Sequence, residues 1–143
     1  MSDLTRFLKQ NKKEKKNAFY AVSKNFTDEK GNPLKWEIKP ITTEENNRLR
    51  DQFTREVPVK GKPNMFRSVL DSDGYMQTLL VRSVVNPNLN SKELQDSYGI
   101  SKPEELLMAM VDEPGEYDDF IKFVTGFNGF NVGLDDKVEN AKN

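Results

Sequence analysis

The chain has 143 residues and a mass of 16.5 kDa; 35% of it is hydrophobic and 31% charged, with 22 basic against 23 acidic side chains and a formal net charge of -1. That size suits one domain, and the near-balance of charge argues against a protein whose main task is gripping a phosphate backbone, so nucleic acid is not an expected partner. The absence of Cys and His excludes Cys/His zinc sites, thiol redox chemistry, Ser-His-Asp or Cys-His nucleophiles and disulfides.

The longest unbroken apolar run, Leu106 to Val111, is far shorter than the roughly 20 residues that cross a bilayer. Residues 1–10 lack the apolar core of a signal peptide. The expectation is a soluble, cytoplasmic protein without membrane attachment. Charge is distributed unevenly: residues 1–40 hold 10 basic and 5 acidic side chains, whereas residues 103–143 hold 3 and 10. Ends of opposite sign dock partners electrostatically or stack copies head to tail, which makes a homo-oligomer one expectation. Solvated faces are the plainer reading.

In chain order, residues 1–16 read as a short amphipathic helix running into a basic stretch, Lys12-Lys13-Glu14-Lys15-Lys16. Leu4, Phe7 and Leu8 fall at i, i+3 and i+4 and form one narrow stripe. So short a helix is marginal alone, and it must find cover on the domain or on a partner, or stay loose. A β-hairpin follows. Phe19-Tyr20-Ala21-Val22 is rich in strand formers, Asp28 to Pro33 is turn chemistry, and Leu34, Trp36 and Ile38 alternate with Lys35, Glu37 and Lys39. A strand apolar on one side needs helices packed on it, with Trp36 as core anchor.

From Pro40 the period becomes helical. Thr42-x-x-Glu45 has the form of a capping box, and Leu49, Phe53 and Val57 repeat every four residues up to Pro58. Residues 58–72, with Pro58, Gly61 and Pro63, read as a loop, with a short strand near Met65-Phe66 as an option. Asp71-Ser72-Asp73 offers N-caps for the most buried-looking helix, Tyr75 to Val85, which Asn86-Pro87 ends. Asn90, with Glu93 at its third position, opens a helix to Tyr98 that Gly99 closes. Ser101-x-x-Glu104 opens another, carrying Leu106, Leu107, Met110 and Val111. Pro114 suits the first position of the last helix, whose stripe is Tyr117, Phe120, Ile121 and Val124 and which Gly126 and Gly129 interrupt. The predicted fold class is α+β: an N-terminal β-hairpin packed against a mainly helical body of several short helices. The predicted division is a basic amphipathic segment over 1–17, one domain over 18–130 and a flexible polar tail over 131–143.

The polar constellations support no catalyst. Asp71-x-Asp73-Gly74 hints at a calcium loop, but the positions that need Gly and a bidentate Glu hold Met76 and Arg82, so helix capping explains these acids. Asp112, Glu113, Glu116, Asp118 and Asp119 have the chemistry for Mg²⁺ or acid–base work, yet they flank a helix start, where carboxylates favour the dipole. No G-x-G-x-x-G or Walker-A motif occurs. The Gly126-Phe127-Asn128-Gly129-Phe130 stretch reads either as a helix C-cap whose phenylalanines fold back on the core or as an exposed aromatic anchor for a partner. No catalytic, cofactor-binding or metal-ligating residue is assigned, and no enzyme is expected.

Several blocks carry a resemblance: Trp36-Glu37-Ile38-Lys39-Pro40-Ile41-Thr42, Val57-Pro58, Asn86-Pro87-Asn88-Leu89-Asn90, Leu94-Gln95-Asp96-Ser97-Tyr98-Gly99, Pro114-Gly115-Glu116-Tyr117 and the Gly126-Phe127-Asn128 region. In order and spacing over roughly 18–130 the chain resembles the XkdN-like tail assembly chaperones of tailed phages and PBSX-type prophages. The resemblance implies a non-catalytic protein that coats the tape-measure protein before tail-tube subunits polymerise around it, works in the bacterial cytoplasm and is not retained in the virion. It further implies, as partners, the tape-measure protein, with the tail-tube protein and a longer frameshifted form of the chain itself as additional candidates. It supplies no established binding residues. Helix-in-groove contact is the natural mode for such a partner, and two apolar features at charged chain ends are the candidates: Leu4, Phe7 and Leu8, and Phe127 with Phe130. The competing expectations are a structural virion protein, either a head–tail connector or a tail component, and a small nucleic-acid-binding regulator that uses Lys9 to Lys16.

Overall fold

The structure, a computed structural model, describes residues 2–130; the expected polar tail lies outside the described residues. Six α-helices and five strands are formed among them. The fold class is α+β, as the sequence predicts, with the N-terminal hairpin in place. Strands β1 (Ala18–Tyr20) and β2 (Trp36–Ile38) pair antiparallel, Ala18 opposite Ile38 and Tyr20 opposite Trp36. The alternation works as expected within β2, where Trp36 and Ile38 are buried. Leu34 lies outside the strand, before Trp36, and is exposed.

Two corrections concern strands. The predicted helix Tyr75 to Val85 is observed as α3 (Ser72–Ser83), and the chain then straightens into β5 (Val84–Asn86). β5 pairs antiparallel with the other edge of β2, so the hairpin becomes a three-stranded sheet ordered β1-β2-β5. Val84 and Val85 are β-branched and fit a pleated edge better than a helix end. The other correction concerns the predicted helix running to Val57 and the predicted loop over 58–72. Helix α2 (Thr43–Gln52) stops at Phe53, and Thr54–Pro58 forms β3, paired with β4 (Phe66–Leu70). The register is regular, from Thr54 opposite Leu70 to Pro58 opposite Phe66, and Val59 continues it by donating its N–H to the Met65 carbonyl at 2.9 Å. Pro58 cannot continue a helix, and the β-branched Thr54, Val57 and Val59 suit a strand, so pairing with Phe66–Leu70 outweighs the i+4 spacing of Val57.

The helix starts follow local chemistry closely. Thr42 and Glu45 form the reciprocal capping box of α2, with Thr42 Oγ1 accepting from the Glu45 N–H at 3.1 Å. Asp71 caps α3, accepting from the Gly74 N–H at 3.2 Å, which accounts for the calcium-like spacing. Helix α4 (Lys92–Tyr98) is capped by Ser91 rather than Asn90 and ends at Gly99 with φ 68°. Helix α5 (Pro103–Met110) starts after Lys102, so Ser101 forms no capping box. Helix α6 (Pro114–Phe127) begins on Pro114 as expected and runs unbroken through Gly126.

The core lies between the sheet and the helices. Trp36 and Ile38 from β2 meet Leu80 of α3, Leu106, Leu107 and Met110 of α5, and Phe120 and Val124 of α6. Tyr20 stacks on Phe123 with ring centroids 4.1 Å apart, and Trp36 meets Phe120 edge-on at 6.2 Å. Helix α3 also serves a second cluster: Leu79 and Tyr75 pack with Leu49 of α2, flanked by Ile41, Phe53 and Leu70. Leu79 and Leu80 are neighbours in sequence and point to different clusters, so α3 joins the two halves of the interior.

Candidate partner-binding surfaces

The N-terminal segment forms an arm. Its helix, α1 (Asp3–Phe7), is a little over one turn, capped by Ser2 and followed by a 3₁₀ turn over Lys9–Asn11. The arm bonds mainly to itself, with Asn11 Nδ2 donating to the Thr5 carbonyl at 2.6 Å. None of its residues is buried: Leu4 is 73% exposed and Phe7 81%, with Leu8 also in solvent. The apolar stripe expected from Leu4, Phe7 and Leu8 therefore finds no cover on the domain.

Two contacts fasten the arm to the body. Lys15 Nζ donates to the Phe127 carbonyl and sits 4.4 Å from the Phe127 ring centroid. A cation at the last turn of a helix meets unpaired carbonyls and the negative end of the dipole, and here a ring face as well. Asn17 Nδ2 donates to Glu37 Oε2 at 2.8 Å on β2. Between the arm and the start of α2 lies an open cleft of about 590 Å³, walled by Lys9, Lys12, Lys13 and Lys15 and floored by Pro40, Ile41 and Asn128.

At the far end of α6 the two candidate phenylalanines separate. Phe127 is half-buried, stacked on Phe123 at 5.7 Å beneath Lys15. Phe130 is exposed. Asn128 closes the helix, donating to the Val124 carbonyl at 2.9 Å while its Oδ1 accepts from the Ile41 N–H at 2.8 Å.

The acidic start of α6 is occupied by structure. Glu116 accepts from the buried Ser23 hydroxyl and from the Lys24 N–H, both at 2.8 Å. Glu113 accepts from Asn25 Nδ2 at 2.7 Å and pairs with Lys24 at 3.4 Å. The Asn25 hydrogen bond, aided by the Lys24 charge, holds the Glu113 carboxyl below the ordinary carboxylate range. Burial pushes the Tyr20 and Tyr117 phenols up, assisted by Asp119 and Asp118 respectively. Among the described residues no cluster of acids gathers in metal-holding geometry. No helix among them is long and apolar enough to cross a membrane.

The surface that sequence reasoning missed is the β3–β4 ribbon, which leaves the body between α2 and α3. Met65 and Phe66 near its tip are exposed. The loop residues Pro58, Gly61 and Pro63 hid the ribbon; the signal in favour was the β-branched and aromatic content of Thr54–Val59 and Met65–Val69 on either side.

With this geometry in hand, relatives identify the class. A family model described as phage XkdN-like tail assembly chaperone protein matches residues 4–142. The phage-like element PBSX protein XkdN of Bacillus subtilis (strain 168) is 34% identical over 122 residues, covering 85% of this chain and 81% of that one. The uncharacterized protein YqbN of the same organism is 32% identical over 141 residues, covering 99% and 93%. The crystal structure of YqbN superposes with a TM-score of 0.73 at 24% identity, over 92% of this chain and 99% of that chain, so the fold is shared. The chain belongs to the XkdN-like phage tail assembly chaperone family.

Proposed function

We propose that this chain performs its family's role in tail assembly by binding the tape-measure protein, and that the N-terminal arm makes the first contact. The observation that carries the reading is the arm itself: Leu4 and Phe7 are the most exposed large apolar side chains among the described residues, on a helix the domain does not cover. Helices that present apolar stripes and have no partner aggregate, and a short amphipathic helix offers them cover in kind. Phe130 extends the same contact at the end of α6, with Phe127 as its packed base. The tail-tube protein, a longer frameshifted form and a second copy are further partners in this scheme, which takes place in the host cytoplasm and leaves no copy in the finished virion. The family is a non-enzymatic kind of protein, and no catalytic step is assigned.

Co-expression with the tape-measure protein of the same genome tests the reading. The expected result is a soluble complex that co-purifies with the full chain. Absence of any complex, with the chain instead recovered in purified particles, would replace the reading with that of a structural tail component.

A further inference from the structure

Side chains on the β3–β4 ribbon divide between two faces, because directly paired residues share a face. One face carries Glu56, Pro58, Phe66 and Ser68, and there Ser68 Oγ donates to Glu56 Oε1 at 2.7 Å. The other carries Arg55 opposite Val69, Val57 opposite Arg67, and Val59 beside Met65. Val69, Val57, Met65 and Val59 thus zigzag along this second face, with Arg55 and Arg67 flanking them from opposite strands. Lys60 and Lys62 lie at the turn. The ribbon's one acid, Glu56, lies on the opposite face and is already bonded. Neither arginine has an ion pair among the described residues. Met65 is exposed and the three valines are half-buried, so the seam is partly open to solvent between two guanidiniums without an ion pair.

We propose that this face is a docking site for an acidic amphipathic helix of another protein, whose apolar stripe lies along Val57, Val59, Met65 and Val69 and whose flanking carboxylates pair with Arg55 and Arg67. The inference does not rest on the tape-measure reading, which concerns the N-terminal arm. Docking uses the face rather than an open strand edge: both strands are short, and Pro58 together with the charges of Arg55, Glu56 and Arg67 opposes edge-to-edge pairing. Two copies stacked face to face would gather four arginines in one interface with no acid on either face to offset them. The unbroken apolar seam favours a protein over a nucleic acid, whose backbone offers such a seam nothing.

The test uses the full chain and a synthetic amphipathic helix with leucines on one face and glutamates along both flanks, read by fluorescence anisotropy. Salt-sensitive binding is expected. It should weaken at least about ten-fold in the Arg55→Glu/Arg67→Glu variant and also in Met65→Ser. All three positions are exposed, and an unchanged melting curve shows that each variant folds. Failure of the acidic helix to bind, equal binding to the arginine variant, or equal binding of a lysine-flanked helix overturns the proposal. So does duplex DNA binding that the arginine variant loses, or a change in the free chain's mass by light scattering in that variant; these outcomes assign the face to nucleic acid or to a second copy.

Discussion

Glu116 shows what one carboxylate does when a fold uses it for assembly rather than chemistry. It reaches across from α6 to satisfy Ser23, a buried hydroxyl, and the adjacent Lys24 N–H, fixing the chain just after β1. Glu116→Ala leaves both donors without that partner, so urea unfolding should show a loss of about 1–3 kcal/mol. Its neighbour Glu113 sets a pH dependence. A carboxyl whose pKa is lower in the folded chain than in the unfolded chain contributes stability that is present above the unfolded value and lost as the pH falls through the folded one. Asn25→Ala removes the largest cause, and unfolding measured through the carboxylate range should then lose part of its acid-side slope. None of this was legible in the sequence. The acids of 112–119 were visible as a cluster, but their partners lie some ninety residues earlier, and no local pattern announces them. Phe127 is the same case: its pairing with Lys15 spans most of the chain.

At the scale of elements, legibility followed how local the cause was. The capping box at Thr42, Pro114 at the start of α6 and the alternation of Trp36 and Ile38 are written within a few residues, and each was readable. β5 and β3 were not. Val84 and Val85 continue a helical pattern until the free edge of β2 is taken into account. Val57 continues one until Arg67 stands opposite. In both places a distant strand decided between two locally acceptable conformations. The join between α2 and α3 is tight enough to test. A Cβ built at Gly74 would come within 2.7 Å of the Phe53 ring and 2.6 Å of Asp71 Oδ2, the cap of its own helix. Gly74→Ala should therefore cost about 1–3 kcal/mol by crowding, despite alanine's better helix propensity. A raised melting temperature for that variant would show that Phe53 gives way.

Across the whole molecule, the sheet and the helices behind it form a frame from which two apolar features project, the N-terminal arm and the β3–β4 ribbon. Frame and projections should separate under mutation. Replacing Leu4, Phe7 and Leu8 together with Ser touches no buried contact, so stability should stay within about 0.5 kcal/mol of the parent while capture of the tape-measure protein falls away. A large loss of stability in that variant would mean that the arm packs on the body after all. The sequence showed the arm's stripe, from the spacing of Leu4, Phe7 and Leu8, but not whether the domain covers it. It hid the ribbon because proline and glycine mark a turn without saying what the turn connects.

The Lys15 anchor has a consequence for kinetics. From Lys15 back to Phe7 even a fully extended chain keeps the arm's contact within about 30 Å of the end of α6. Were another surface of the body to hold a long partner, Phe7 would therefore meet a site on it at a local concentration in the millimolar range rather than that of free protein. A weak contact on so short a leash can release and recapture repeatedly without the molecule leaving a partner that holds its body.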